Sequence, residues 1–133
     1  PEEAVARAAR HLEVAAVEQV VDPAGVLALQ RAAGSLLVDD RVLDYAVRLV
    51  RRTRTWAGLR QGTGPRGAIA LVRTARAMAM LSGRDFVLPD DVKSAALPVL
   101  RHRVAVAPEL EMSGQDADQV LTSLLGDVEA PRQ

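Results

Sequence analysis

Hydrophobic residues recur along this chain at helical spacing, in blocks separated by Pro, Gly and Asp. Residues 2–12 (EEAVARAARHL) place Val5, Ala8 and Leu12 on one helical face. Residues 13–21 (EVAAVEQVV) fit either helix or extended chain. Asp22-Pro23 then signals a start, a capping carboxylate followed by a proline whose missing N–H is not needed in a first turn. VLALQRAA continues to Gly34, a plausible stop. Asp39 and Asp40 open a second helix. Leu43, Ala46, Val47, Val50 and Thr53 form its expected inner stripe, with Arg48, Arg51 and Arg52 largely off it. Gly58 to Pro65 reads as a loop.

A third helix is expected from Pro65 to Ser82, turning Ala68, Leu71, Val72, Ala75, Met78 and Ala79 inward, with Gly83 as its stop. A fourth starts near LPDDVKSAAL, and Pro98 is expected to kink or end it. Residues 103–112 (RVAVAPELEM) alternate and contain Pro108, so they read as extended. The last helix has the cleanest pattern. Ala117, Val120, Leu121, Leu124 and Leu125 share one face, Asp116 is placed to cap, and Gly126 to stop it. The expected fold is a small all-α helical bundle with at most one short two-stranded β-ribbon. Residues 16–21 and 103–107 are the candidate strands.

Composition narrows the class. The chain has 133 residues, the size of one small domain, and its core must be aliphatic because Trp56, Tyr45 and Phe86 are its only aromatics. Seventeen basic residues balance seventeen acidic ones, so net charge gives no drive towards nucleic acid or a membrane surface. RLVRRTRTW (48–56) is basic, but its arginines spread around a helix, so a solvated face is the expected reading. Without cysteine there is no disulfide framework, which is compatible with the cytoplasm. No signal peptide or long uncharged apolar run is seen. The chain begins PEEAV rather than with Met, and reads as a piece of something longer.

Most catalytic signatures are missing. The sequence contains no GxxxxGK[ST], no HExxH and no Cys/His cluster, and His11 and His102 stand alone. No serine has an evident base, and the pairs Asp39-Asp40 and Asp90-Asp91 suit helix starts. No catalytic or metal-binding residue is expected in the fragment. One stretch is odd. GTGPRG (62–67) puts Arg66 in the first turn of a helix, where the positive end of the macrodipole disfavours a cation by about 0.3–1 kcal/mol. It is either a tolerated surface residue or half of an anion site made with free first-turn N–H groups. Arg73, seven residues on, falls on nearly the same face.

The order of motifs resembles the C-terminal lid of a MoxR-type AAA+ ATPase. The similarity runs through Leu29-Gln30, Asp44-Tyr45, Thr53-Arg54, the Gly-x-Gly-Pro-Arg of residues 62–66, GRDFV (83–87), PDDVK (89–93) and His102-Arg103-Val104. It covers about residues 16–133, with 1–15 as a segment leading in from an ATPase core. The resemblance implies an AAA+ lid bundle. It makes Arg66 the sensor 2 arginine on the terminal phosphate of ATP, beside Gly64 and Pro65 and with Arg73 further along. It also implies Mg2+ and ATP in the full-length protein, neither in this fragment, and no hydrolysis by the fragment alone. Partners implied are the chain's own AAA+ core, neighbouring subunits of a hexamer and a von Willebrand factor A domain protein, in chaperone-like remodelling or metal-cofactor insertion. Nucleic acid and membrane are not expected, and the setting is cytoplasmic. The alternatives are a stand-alone helical protein-interaction module without nucleotide, and a helical DNA-binding regulator. The family usually has Thr where this chain has Leu88, which lacks a capping oxygen; Asp90 or Asp91 is placed to compensate.

Overall fold

The computed structural model describes residues 17–131. The chain divides into two compact units, Pro1–Arg31 and Ala32–Gln133. The expected helix at 2–12, residues 13–16 and His11 lie outside the described residues.

In the first unit, residues 17–21 carry no strand, so the expected strand over 16–21 is corrected for its described part. Extended pairing needs a partner strand, and the ribbon that does form is made by other segments. Asp22 behaves as expected. Its Oδ1 accepts from Gly25 N–H at 2.6 Å, capping helix α1 (Pro23–Ser35). No residue of α1 is buried, and Val26, Leu27 and Leu29 are all exposed.

The second unit carries the core. Its elements are α2 (Asp40–Thr53), β1 (Leu59–Gln61), α3 (Pro65–Leu81), α4 (Pro89–Leu100), β2 (Ala105–Val106), α5 (Pro108–Met112) and α6 (Ala117–Asp127). α3 and α4 form the most extensive helix–helix contact. Ala75 and Ala79 on α3 and Ala95 and Ala96 on α4 are fully buried, and such small side chains permit a close approach of the two backbones. Tyr45 and Leu49 of α2 and Leu121 and Leu124 of α6 complete the centre. Burying each leucine contributes on the order of 1.5–3 kcal/mol.

The inner face of α3 is close to that expected, with Leu71, Ala75 and Ala79 buried and Ala68, Val72 and Met78 packed against the core. Ser82 caps its end and Gly83, at φ 71°, turns the chain away. α6 buries Val120, Leu121, Leu124 and Leu125 as its spacing predicts. Asp116 Oδ1 and Gln119 close a reciprocal capping box at its start. Gly126 sits inside its last turn, since the helix continues to Asp127.

Several expectations are corrected. The stripe of α2 is rotated: Val42, Tyr45, Ala46, Leu49, Val50 and Thr53 are buried, whereas Val47 is exposed. Tyr45 and Leu49 offer more apolar area than Leu43 and Val47, and the helix turns to bury it. The Gly58–Pro65 segment is not all loop. β1 within it pairs antiparallel with β2, Leu59 opposite Val106 and Gln61 opposite Ala105. Pro98 does not end α4, which runs to Leu100, with Arg101 N–H still bonded to Leu97 O at 3.0 Å. Pro98 and Ser94, one turn back, are both exposed, so the freed carbonyl can turn to water. Residues 103–112 are not extended throughout. Pro108 opens α5 from its first position, where a missing N–H costs nothing.

Candidate functional site

The GTGPRG turn is fastened at one end and open at the other. Thr53, fully buried at the end of α2, donates its hydroxyl to Val50 O at 2.7 Å and accepts from Thr63 N–H at 3.0 Å. Gly62 lies directly against this anchor. A Cβ there would come within 2.5 Å of the Thr53 carbonyl carbon, and backbone cannot yield cheaply. Thr63 is itself buried and packs over Gly67, where a Cβ would approach Thr63 Oγ1 at 2.6 Å. The first and last glycines of the stretch are therefore set by close approach.

From this anchorage α3 begins. Gly64 is its N-cap, with φ −90° and ψ −172°, and Pro65 stands at the first helical position. Gly67 N–H bonds back to Gly64 O at 2.9 Å. No side chain caps this end, and no acid lies in its first turn. Every other helix lying wholly within the second unit carries a carboxylate there: Asp40, Asp90 and Asp91, Glu109 and Glu111, or Asp118. α3 carries exposed Arg66 instead. Arg73 is also exposed, on the same helix and about 10 Å further along at 1.5 Å rise per residue. Among the described residues neither arginine has an ion-pair partner. The arrangement offers unsatisfied backbone donors, the positive helix end and a free guanidinium side by side, a donor set that suits phosphate oxygens.

The start of α4 meets the same problem differently. Leu88, its N-cap, has no side-chain oxygen to offer. Asp91 Oδ2 accepts from Leu88 N–H at 2.8 Å, the reciprocal half of a capping box, while no side chain accepts from the first-turn N–H groups, so the compensation foreseen for Asp90 or Asp91 is partial. Arg84 then grips Asp91 with both terminal nitrogens, at 2.6 and 2.8 Å. This hydrogen bonding, assisted by the Leu88 N–H, holds the Asp91 carboxyl below its ordinary range although burial pushes the other way. Nearby, Leu37 N–H bonds to Asp85 O and Val87 N–H to Leu37 O, at 3.1 and 3.0 Å, fixing the segment between the helices.

Among the described residues there is no group of three His, Asp or Glu side chains able to hold a metal, and no helix is long and apolar enough to cross a membrane. Sequence reasoning did not foresee the anchoring role of Thr53 or the Arg84–Asp91 clamp. Thr53 carried a signal in its place on an inner stripe, where a hydroxyl must find partners. The clamp joins residues seven apart across a turn, and nothing in their spacing marks it.

Comparison with known proteins gives this architecture a family. The AAA lid domain family matches residues 51–124, more than half of the chain, and the chain belongs to it. YeaC of Bacillus subtilis is 34% identical over 117 residues, covering 88% of this chain and 37% of that protein. The chaperone MoxR1 of Mycobacterium tuberculosis is 29% identical over 126 residues, 86% of this chain and 33% of its own length. A crystal structure of a protein from Cytophaga hutchinsonii assigned as an ATPase superposes with TM-score 0.81 at 28% identity, over 98% of this chain and 43% of that one. The present domain is thus the lid of a MoxR-type AAA+ ATPase. The chain spans between a third and two-fifths of the length of these first two relatives.

Proposed function

We propose that this lid supplies the sensor 2 arginine, Arg66, to ATP held by a P-loop core outside residues 1–133. The supporting observation is the start of α3, uncapped, free of acids and carrying an exposed arginine without an ion-pair partner among the described residues. Gly64 and Pro65 bring the backbone up to the anion without obstruction: a Cβ at Gly64 would meet nothing within 4 Å. A terminal phosphate with its Mg2+ makes the cation at a positive helix end favourable. In the same reading Arg66 offsets charge that develops as the phosphoryl group transfers. Arg73, further along, acts more weakly.

The working unit in this reading is a hexamer, in which the lid packs against its own AAA+ core and a neighbouring subunit. It performs chaperone-like remodelling or metal-cofactor insertion with a von Willebrand factor A domain partner, in the cytoplasm. Support for the chaperone role comes from similarity to a protein named chaperone MoxR1.

The test is steady-state hydrolysis by the full-length ATPase carrying Arg66→Ala, beside nucleotide affinity. Turnover should fall far more than binding weakens, and Arg66→Lys should recover only part, since an ammonium lacks the two-pronged donor set. Wild-type turnover in Arg66→Ala would overturn the assignment.

A further inference from the structure

A second cationic feature lies one helical turn from Arg66. A groove of about 510 Å³ runs between α3 and the end of α4, lined by Ala70, Thr74, Pro98, Val99, His102 and Arg103. Ala70 is four residues beyond Arg66 on the same helix, hence about 6 Å along the axis and on the same side. Arg103 faces it from the other wall. The two arginines are held in this relation by the ribbon. Arg103 stands two residues before β2, and Arg66 five residues after β1, its antiparallel partner. Arg103 N–H bonds to Leu100 O at 2.8 Å, which fixes its backbone at the end of α4. Its side chain is exposed, and among the described residues it has no ion-pair partner.

A guanidinium left unpaired at the mouth of a polar groove, beside an imidazole and the Thr74 hydroxyl, has the chemistry of a phosphate subsite. We propose that Arg103 is a second nucleotide-binding residue, which contacts a non-terminal phosphate of the nucleotide whose terminal phosphate Arg66 reaches. This rests on the reading of Arg66 as the phosphate sensor. The place of Arg103 on a groove that it shares with Ala70, one turn beyond Arg66, separates their roles. The charge on a non-terminal phosphate persists in ADP, so Arg103 contributes to binding of substrate and product alike. An interaction equally strong in ground and transition states raises affinity without raising turnover.

The experiment uses the full-length ATPase with Mg2+. Affinities for ADP and for a non-hydrolysable ATP analogue, and steady-state kcat and KM, are measured for wild type, Arg66→Ala, Arg103→Ala and Arg103→Lys. Arg103→Ala should weaken both nucleotides about tenfold, with KM raised in step and kcat within about twofold, the signature of lost uniform binding. Arg103→Lys should recover part of the loss. Ala70→Glu places a carboxylate in the groove without removing either arginine, and it should weaken both nucleotides in the same way. Unchanged thermal unfolding of each variant separates these effects from misfolding. Wild-type affinity for both nucleotides in Arg103→Ala overturns the proposal, as does a loss confined to the ATP analogue, which places Arg103 on the terminal phosphate. Wild-type turnover in Arg66→Ala removes the sensor assignment instead, and a loss of ADP affinity in Arg103→Ala still stands apart from it.

Discussion

Two helices of this lid begin with the same construction and end it differently. α3 starts Gly64-Pro65-Arg66-Gly67 and α4 starts Leu88-Pro89-Asp90-Asp91. Each has an N-cap residue without a side-chain oxygen, followed by proline. In α4 the chain meets its own need: Asp91 accepts from the N-cap N–H, and Arg84 neutralises Asp91. In α3 nothing is returned to the helix end, and the residue that could have been an acid is Arg66. The difference teaches that the open end of α3 is not an oversight of the fold. About two dozen residues on, the same chain ties down the equivalent N-cap with two charged side chains.

The strongest way to break the comparison is to give α3 the acid of α4. Arg66→Asp should cost full-length turnover on the order of 10² to 10³, or ~3–4 kcal/mol, the scale of losing a well-placed cationic contact to developing charge. The same change should leave the lid at least as stable, by up to about 1 kcal/mol, since an acid suits a helix start. Hydrolysis assays and urea denaturation read the two effects separately. A destabilised lid would show that Arg66 makes a contact within the fold.

Opening α4 is the converse. Asp91→Ala should destabilise the domain by ~2–4 kcal/mol, because Arg84 and the Leu88 N–H lose their partner in a largely buried site. The pH dependence has a definite sign. A carboxyl whose pKa is lowered on folding stabilises fully above its unfolded value of about 3.9. That contribution is lost as pH falls through the lower folded value. The difference in stability between wild type and Asp91→Asn should therefore shrink on acidification below about pH 4. A gap that is constant from pH 7 to pH 2 in denaturant melts would contradict the clamp.

The two glycines beside Thr63 sharpen the contrast within the turn. Gly62→Ala should cost ~1–3 kcal/mol, since its Cβ would run into the Thr53 backbone. Gly64→Ala should change stability by less than about 0.5 kcal/mol, because the space there is open and the backbone angles suit any residue. Equal effects in thermal melts would mean that the turn is not anchored on α2. The smallest effect is expected from Leu88→Thr. A hydroxyl gains a cap worth roughly 0.5–1 kcal/mol but gives up half-buried apolar contact, leaving a net gain of no more than about 0.5 kcal/mol. A loss above 1 kcal/mol would show that Leu88 serves the fold by packing.

Local chemistry made much of this molecule legible beforehand. Asp22, Asp39 and Asp116 cap the helices their positions announced, because an N-cap bond spans two or three residues. The face of α6 was plain from Val120, Leu121, Leu124 and Leu125. Arg66 stood out because its charge contradicts the helix end it occupies, and the contradiction is visible in a few letters. The rotation of α2 about Tyr45 and Leu49 was not visible, since burial depends on which neighbours a face meets. β1 and β2 are 44 residues apart, from Gln61 to Ala105, and each is too short to show a period of its own. The Thr53 anchor, the Arg84–Asp91 clamp and the groove beneath Arg103 likewise join residues that no local rule relates. The sequence by itself determined where helices begin, what caps them and which charge is out of place. Only the tertiary structure decided which of those charges are satisfied, because a partner for a buried or projecting group is chosen by the fold's geometry and not by distance along the chain.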